Sequence, residues 1–148
     1  MNSESVRPIQ ILLVEDSPSD AQLTMAALKM AKVVNQVSHV EDGVEAMEFL
    51  RQEGKYAQSK RPDLVLLDLN LPRKDGREVL EEMKGNPDFQ LIPVVILTTS
   101  QAEQDIIRSY KFHANCYITK PVNFDRFLEV VQSIENFWLT VVALPIGK

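Results

Sequence analysis

Five residues with the chemistry of phosphoryl transfer sit at the ends of short apolar runs in this chain. Glu15 and Asp16 follow Ile11 to Val14, Asp68 follows Leu64 to Leu67, Thr98 follows Val94 to Leu97, and Lys120 follows Tyr117 to Thr119. In a parallel sheet all strands point the same way, so groups just past the strand ends converge on the crevice where α/β proteins bind ligands. Acids, a hydroxyl and an amine, far apart in sequence, would then share one edge.

Brought together, Glu15, Asp16 and Asp68 would repel one another and raise a pKa unless a cation neutralised them. That implies a hard cation, and Mg²⁺ or its substitute Mn²⁺ suits oxygen ligands and commonly bridges carboxylates to a phosphate. His39 and His113 fall on an edge strand and on a later helix, so no His or Cys set favours zinc, and neither histidine is assigned to phosphotransfer. With its charge drawn off, Asp68, which closes the central run, can attack phosphorus and carry an acyl phosphate. Lys120 would neutralise the incoming oxygens, a unit pair at about 4 Å being worth about 4 kcal/mol at an effective dielectric near 20. Thr98 offers a hydroxyl to the same oxygens. Hydrogen bonds to charged groups contribute about 1.5 to 3 kcal/mol each, so two such contacts approach the roughly 5.5 kcal/mol that inverts a 1:99 equilibrium.

The elements that would position these groups alternate along the chain. Ile9 to Val14 reads as a strand, and Ser17-Pro18 opens a helix with Ala21, Met25 and Leu28 on one face. Val37 to Val40 is a half-polar edge strand, followed by a helix from Asp42 or Gly43 with Val44, Met47 and Leu50 inward. Pro62 precedes the strand Leu64 to Leu67, a turn runs from Leu71 to Gly76, and Val79, Leu80 and Met83 mark the next helix. Pro93 introduces the strand Val94 to Leu97, before a helix over Ala102 to Phe112. Cys116 to Thr119 is the last strand, and Asn123 can cap a final helix carrying Phe124, Phe127, Leu128, Val131, Ile134 and Trp138. Such β-α alternation predicts a parallel sheet with helices on both faces, with no internal repeat.

Bulk properties agree and exclude alternatives. The 148 residues suit one domain, organised as a polar tail over residues 1–8, a folded unit over 9–138 and an apolar tail over 139–148. Hydrophobic residues at 45% and charged residues at 25% are ordinary for a globule. A formal charge of −5 argues against nucleic acid as a ligand, which demands a basic surface. The single Cys116 cannot form an intrachain disulfide, and no run approaches the roughly 20 apolar residues of a membrane helix. The expectation is a cytoplasmic protein without a membrane anchor.

With these residues in order, the chain resembles the receiver domain of two-component response regulators. The resemblance implies a flavodoxin-like, doubly wound five-stranded parallel sheet of order 2-1-3-4-5. It implies Glu15 and Asp16 as the metal-binding acidic pair, Asp68 as phospho-acceptor, and Asn70 as metal ligand through its backbone carbonyl. Thr98 becomes the switch hydroxyl, Tyr117 the switch aromatic, and the Lys120-Pro121 step a cis peptide bond. It covers residues 9 to 136. Asp68 to Leu80 (DLNLPRKDGREVL), Pro93 to Ser100 (PVVILTTS) and Ile134 to Trp138 (IENFW) look like the single-domain regulators paired with phytochrome-type histidine kinases. Partners implied are such a kinase and a downstream regulator or histidine phosphotransfer protein. Two positions depart from the family pattern: Glu15 stands where Asp is more usual, and Thr99 replaces a small residue after the switch hydroxyl.

Other readings stand beside this one. Taken alone, Asp68 and Asn70 are turn formers, Glu15-Asp16 are solvated helix-cap acids, Tyr117 is plain core, and Cys116 is a buried small hydrophobe. A binding module that keeps the fold without phosphorylation is the main alternative. A Mg²⁺-dependent phosphatase with an Asp nucleophile needs an acid two residues later, and the amide of Asn70 cannot serve as one. At the carboxyl end, Val130, Ile134, Phe137, Trp138 and Leu139, with the run Val141 to Ile146, offer more apolar surface than one helix buries. The expectation there is a homodimer interface, the alternative being a tail folded back on its own domain.

Overall fold

A computed structural model of the chain describes residues 8–30, 35–98, 116–122, 125–127 and 129. Five strands, β1 (Ile9–Val14), β2 (Asn35–Val40), β3 (Leu64–Asp68), β4 (Val94–Thr98) and β5 (Cys116–Thr119), form one sheet of order β2-β1-β3-β4-β5. Every pairing is parallel. This is the doubly wound order expected from sequence, with the chain reversing direction of growth between β1 and β3.

The helices that bear on the site are α1 (Pro18–Lys29), α2 (Gly43–Arg51) and α3 (Gly76–Lys84). Each starts where its sequence supplies a cap. The Ser17 hydroxyl accepts from the N–H of Asp20 with Pro18 in the first turn, and Asp42 Oδ1 accepts from the N–H of Glu45 at 2.8 Å. Asp75 and Glu78 form a reciprocal capping box at α3.

Strand alternation divides the core between the two faces. Ile11, Leu13, Leu64, Leu66, Val95, Leu97 and Ile118 pack with Ala21 and Leu28 of α1 and with Phe127. Leu12, Val14, Val65, Leu67, Val94 and Ile96 pack on the other side with Met47 and Leu50 of α2 and with Val79, Leu80 and Met83 of α3. The three inner strands are apolar on both faces, as a covered parallel sheet requires.

Three strand boundaries differ from the sequence reading. β2 begins at Asn35 rather than Val37, because its polar residues are held by side-chain bonds: Asn35 Nδ2 donates to the Leu28 carbonyl at 3.0 Å, and Gln10 Nε2 donates to Gln36 Oε1 at 3.0 Å. Asp68 and Thr98 are the last residues of their strands rather than the first residues beyond them. Met25 and Val44 are only half-buried, while Phe49 and Ala46 complete the inner face of α2. The helix expected over Ala102 to Phe112, Asn123, Thr99, Ser100, His113 and the residues assigned to a dimer interface, Val130, Ile134, Phe137, Trp138 and Leu139, lie outside the described residues.

Candidate phosphoryl-transfer site

Sheet register brings the sequence-separated groups to one edge. Val14 pairs with Leu67, so Glu15 stands abreast of Asp68; Asp68 pairs with Leu97, one step before Thr98; Thr98 pairs with Thr119, one step before Lys120. Glu15, Asp16 and Asp68 each present a carboxylate oxygen within 4.8 Å of the others. Asp16 is exposed, whereas Glu15 and Asp68 are buried.

Lys120 is the cation among them. Its Nζ donates to Asp68 Oδ2 at 2.8 Å and to Asp20 Oδ2 at 3.1 Å, and lies 2.8 Å from Glu15 Oε1. The last approach is a charge contact off the hydrogen-bonding direction, which leaves Oε1 buried without a hydrogen-bond partner. The other Glu15 oxygen accepts from the Ser17 N–H at 3.2 Å. Asp68 Oδ1 accepts from the Asn70 N–H at 2.9 Å, an Asx turn that leads the chain into the loop before α3. Both carboxylate oxygens of Asp68 are therefore oriented.

Electrostatics follow from this crowding. Burial, aided by the neighbouring Asp68 carboxylate and opposed by Lys120, pushes the Glu15 carboxyl up to about 7. Burial pulls the Lys120 ammonium down, but its bond to Asp68 and its charge contact with Glu15 together outweigh that and hold it above the ordinary lysine range. An orphaned carboxylate oxygen beside two more acids is a donor set suited to a hard cation, with Glu15, Asp16 and Asp68 as the groups that would hold it.

Thr98 is fully buried at the tip of β4, and its carbonyl accepts from the Lys120 N–H at 2.8 Å. By alternation it shares the α2 and α3 face with Tyr117, which is half-buried against the core there. The Lys120-Pro121 peptide is cis, as the resemblance implied. Beside Lys120 opens a cleft of about 360 Å³ lined by Asp20, Leu23, Thr24 and Pro121. A larger open groove along α3, lined by Lys74, Glu78, Glu81 and Glu82, contains none of the residues assigned to phosphoryl chemistry.

Sequence reasoning missed two residues at this edge. Asp20, legible only as a first-turn helix acid, reaches Lys120, and His39, assigned no role, places Nε2 2.7 Å from the Glu15 carbonyl oxygen. Neither has a motif; their signal is positional and needs the register.

Residues 11–132 match the family model described as the response regulator receiver domain. The chain belongs to the response regulator receiver family. Within that family it is similar to response regulator Rcp1 of Synechocystis sp., with 53% identity over 145 residues that span 98% of this chain and 99% of Rcp1. The Mn²⁺-bound form of Rcp1 superposes on it with a TM-score of 0.72 at 54% identity, covering 93% of this chain and 99% of the other. The bacteriophytochrome response regulator AtBRR superposes with a TM-score of 0.84 at 43% identity, over 89% and 96% of the two chains. The phosphorylated cyanobacterial phytochrome response regulator RcpA gives 0.74 at 52% identity, over 94% and 99%. This receiver is thus related to the phytochrome response regulators. No helix among its described residues is long and apolar enough to cross a membrane.

Proposed function

We propose that this receiver takes a phosphoryl group onto Asp68 from the phosphohistidine of a phytochrome-type sensor kinase in the cytoplasm, and signals by protein contact. The observation that carries the reading is the state of Asp68: one carboxylate oxygen on the Lys120 ammonium at 2.8 Å, the other on the Asn70 N–H at 2.9 Å, with Glu15 and Asp16 alongside. The relatedness to a phosphorylated phytochrome regulator and to a Mn²⁺-bound one supports it.

In the reaction an Asp68 oxygen attacks phosphorus, a P–O bond forms as the P–N bond to imidazole breaks, and the electron pair leaves with the imidazole. A divalent cation, Mg²⁺ or Mn²⁺, bound by Glu15, Asp16, Asp68 and the Asn70 carbonyl would neutralise charge on the carboxylates and the transferred oxygens. Lys120 then holds the phosphoryl oxygens, and Asp20 and Glu15 keep its ammonium in place. Thr98 donates its hydroxyl to the new group and Tyr117, on the same sheet face, follows it as the switch pair. Output passes to a downstream regulator or a histidine phosphotransfer protein. Val130, Ile134, Phe137, Trp138 and Leu139 are proposed to form a homodimer interface, which sedimentation showing a monomer at tens of micromolar would refute.

The deciding experiment incubates wild type and Asp68→Asn with labelled phosphohistidine kinase, or with acetyl phosphate and Mg²⁺. Label on the wild type alone, abolished by EDTA, supports the reading; label that persists on Asp68→Asn overturns it.

A further inference from the structure

The edge strand β2 holds the backbone of Glu15 from both sides. The Glu15 N–H donates to the Val40 carbonyl at 3.0 Å, and the Glu15 carbonyl oxygen lies 2.7 Å from Nε2 of His39. A carbonyl oxygen can only accept, so Nε2 carries the proton in this contact. The β1–β2 ladder ends at the pair Val14 and Val40, after which β2 bends through Glu41 into the Asp42 cap of α2. The imidazole thus supplies a donor just where the ladder stops.

Its leverage comes from peptide geometry. The Glu15 carbonyl and the Asp16 N–H belong to one planar group, so a bond to that carbonyl fixes the ψ of Glu15 and the φ of Asp16 together. Those two torsions decide whether the carboxylates on either side point toward Asp68 and one common ion. Glu15 also carries the buried oxygen with no hydrogen-bond partner, so its direction matters most.

We infer that His39 is a positioning residue for the divalent-cation site, acting through the Glu15-Asp16 peptide rather than by touching the ion. The inference rests on the receiver reading and adds a residue to it. Groups that orient ligands in this way typically alter metal affinity by about 10- to 100-fold when removed.

Calorimetric titration of the full chain with Mg²⁺ tests this on wild type, His39→Leu and His39→Gln. His39→Leu fills the space without a donor, and its Kd for Mg²⁺ should rise about tenfold. His39→Gln brings an amide N–H to the same carbonyl and should bind close to wild type, a rescue that a purely space-filling role does not produce. If His39→Leu does not fold, His39→Asn, whose shorter amide falls short of the carbonyl, takes its place with the same expected loss. Wild-type affinity in the donor-less variant, or no advantage of Gln over it, overturns the inference. A wild type that neither binds Mg²⁺ nor takes label from acetyl phosphate defeats the receiver reading itself, and this inference with it.

Discussion

Gly76, the first residue of α3, faces the backbone of Asp68 with no space between them. A Cβ at Gly76 would overlap the Asp68 carbonyl oxygen and stand 2.7 Å from the Cα of Leu69, while the Gly76 N–H donates to the Leu69 carbonyl at 3.0 Å. The helix therefore sits directly on the strand end that carries the proposed phospho-acceptor. Gly76→Ala forces backbone, not a flexible side chain, to move, and should destabilise the fold by about 3 kcal/mol or more. Gly85→Ala at the other end of α3, where the nearest approach is 3.3 Å to the Glu81 carbonyl oxygen, should stay within about 1 kcal/mol of wild type. Urea unfolding midpoints compare the two.

Glu15 gives stability a pH dependence. Its carboxyl is raised, mainly by burial, from 4.5 to about 7. Between those values the folded protein keeps a proton that the unfolded chain has released, so metal-free stability should fall as pH rises through this window, by at most about 3 kcal/mol. Lys120, held above its ordinary range, stays charged throughout and adds no slope. Urea titrations in EDTA at about pH 5 and about pH 8 measure the difference, and Glu15→Gln should flatten it. A cation must displace the Glu15 proton, so Mg²⁺ affinity should climb with pH and level off above about 7.

Removing Lys120 leaves Glu15, Asp20 and Asp68 without their shared cation. Breaking a buried charge pair typically costs about 3 to 5 kcal/mol, and proton uptake by Glu15 relieves part of this. Lys120→Ala should therefore unfold at clearly lower temperature than wild type in EDTA. Added Mg²⁺ should raise the melting temperature of the variant more than that of the wild type, because the ion takes over neutralisation that the ammonium otherwise provides. Thermal scans with and without Mg²⁺ read both effects.

Asp42 performs two tasks with two oxygens: Oδ1 caps α2 through the Glu45 N–H at 2.8 Å, and Oδ2 accepts from Arg73 at 3.1 Å. Arg73 lies in the loop between β3 and α3 with φ of 68°. Loss of an N-cap costs about 0.5 to 2 kcal/mol, whereas an ion pair with one exposed partner contributes about 0 to 1. Asp42→Ala should thus destabilise by more than Arg73→Ala, and denaturant midpoints of the two variants give the order directly.

Much of this arrangement was legible in the sequence because the relevant signals are local. Apolar runs such as Leu64 to Leu67 mark covered strands, Ser17, Asp42 and Asp75 mark helix starts, and the polar residues that close the runs mark the edge where the proposed site lies. The start of β2 was not legible, since Asn35 and Gln36 read as loop residues and are recruited by Leu28 and Gln10 across the fold. Asp20 and His39 escaped for the same reason: their partners, Lys120 and the Glu15 carbonyl, lie 100 and 24 residues away. The Glu15 environment was half legible. The acid cluster predicted repulsion and a need for a cation, but not that an ammonium would approach one oxygen and leave it unbonded.

Lys120 is anchored twice, by its amide to the carbonyl of Thr98 and by its ammonium to Asp68. The two anchors sit at opposite ends of a single residue, like the fulcrum and tip of a short lever. A shift of the ammonium away from its acid neighbours would therefore bear, through one side chain, on the residue bonded to the tip of β4. News of a changed charge at the sheet edge need not be relayed through the core to reach the neighbouring strand.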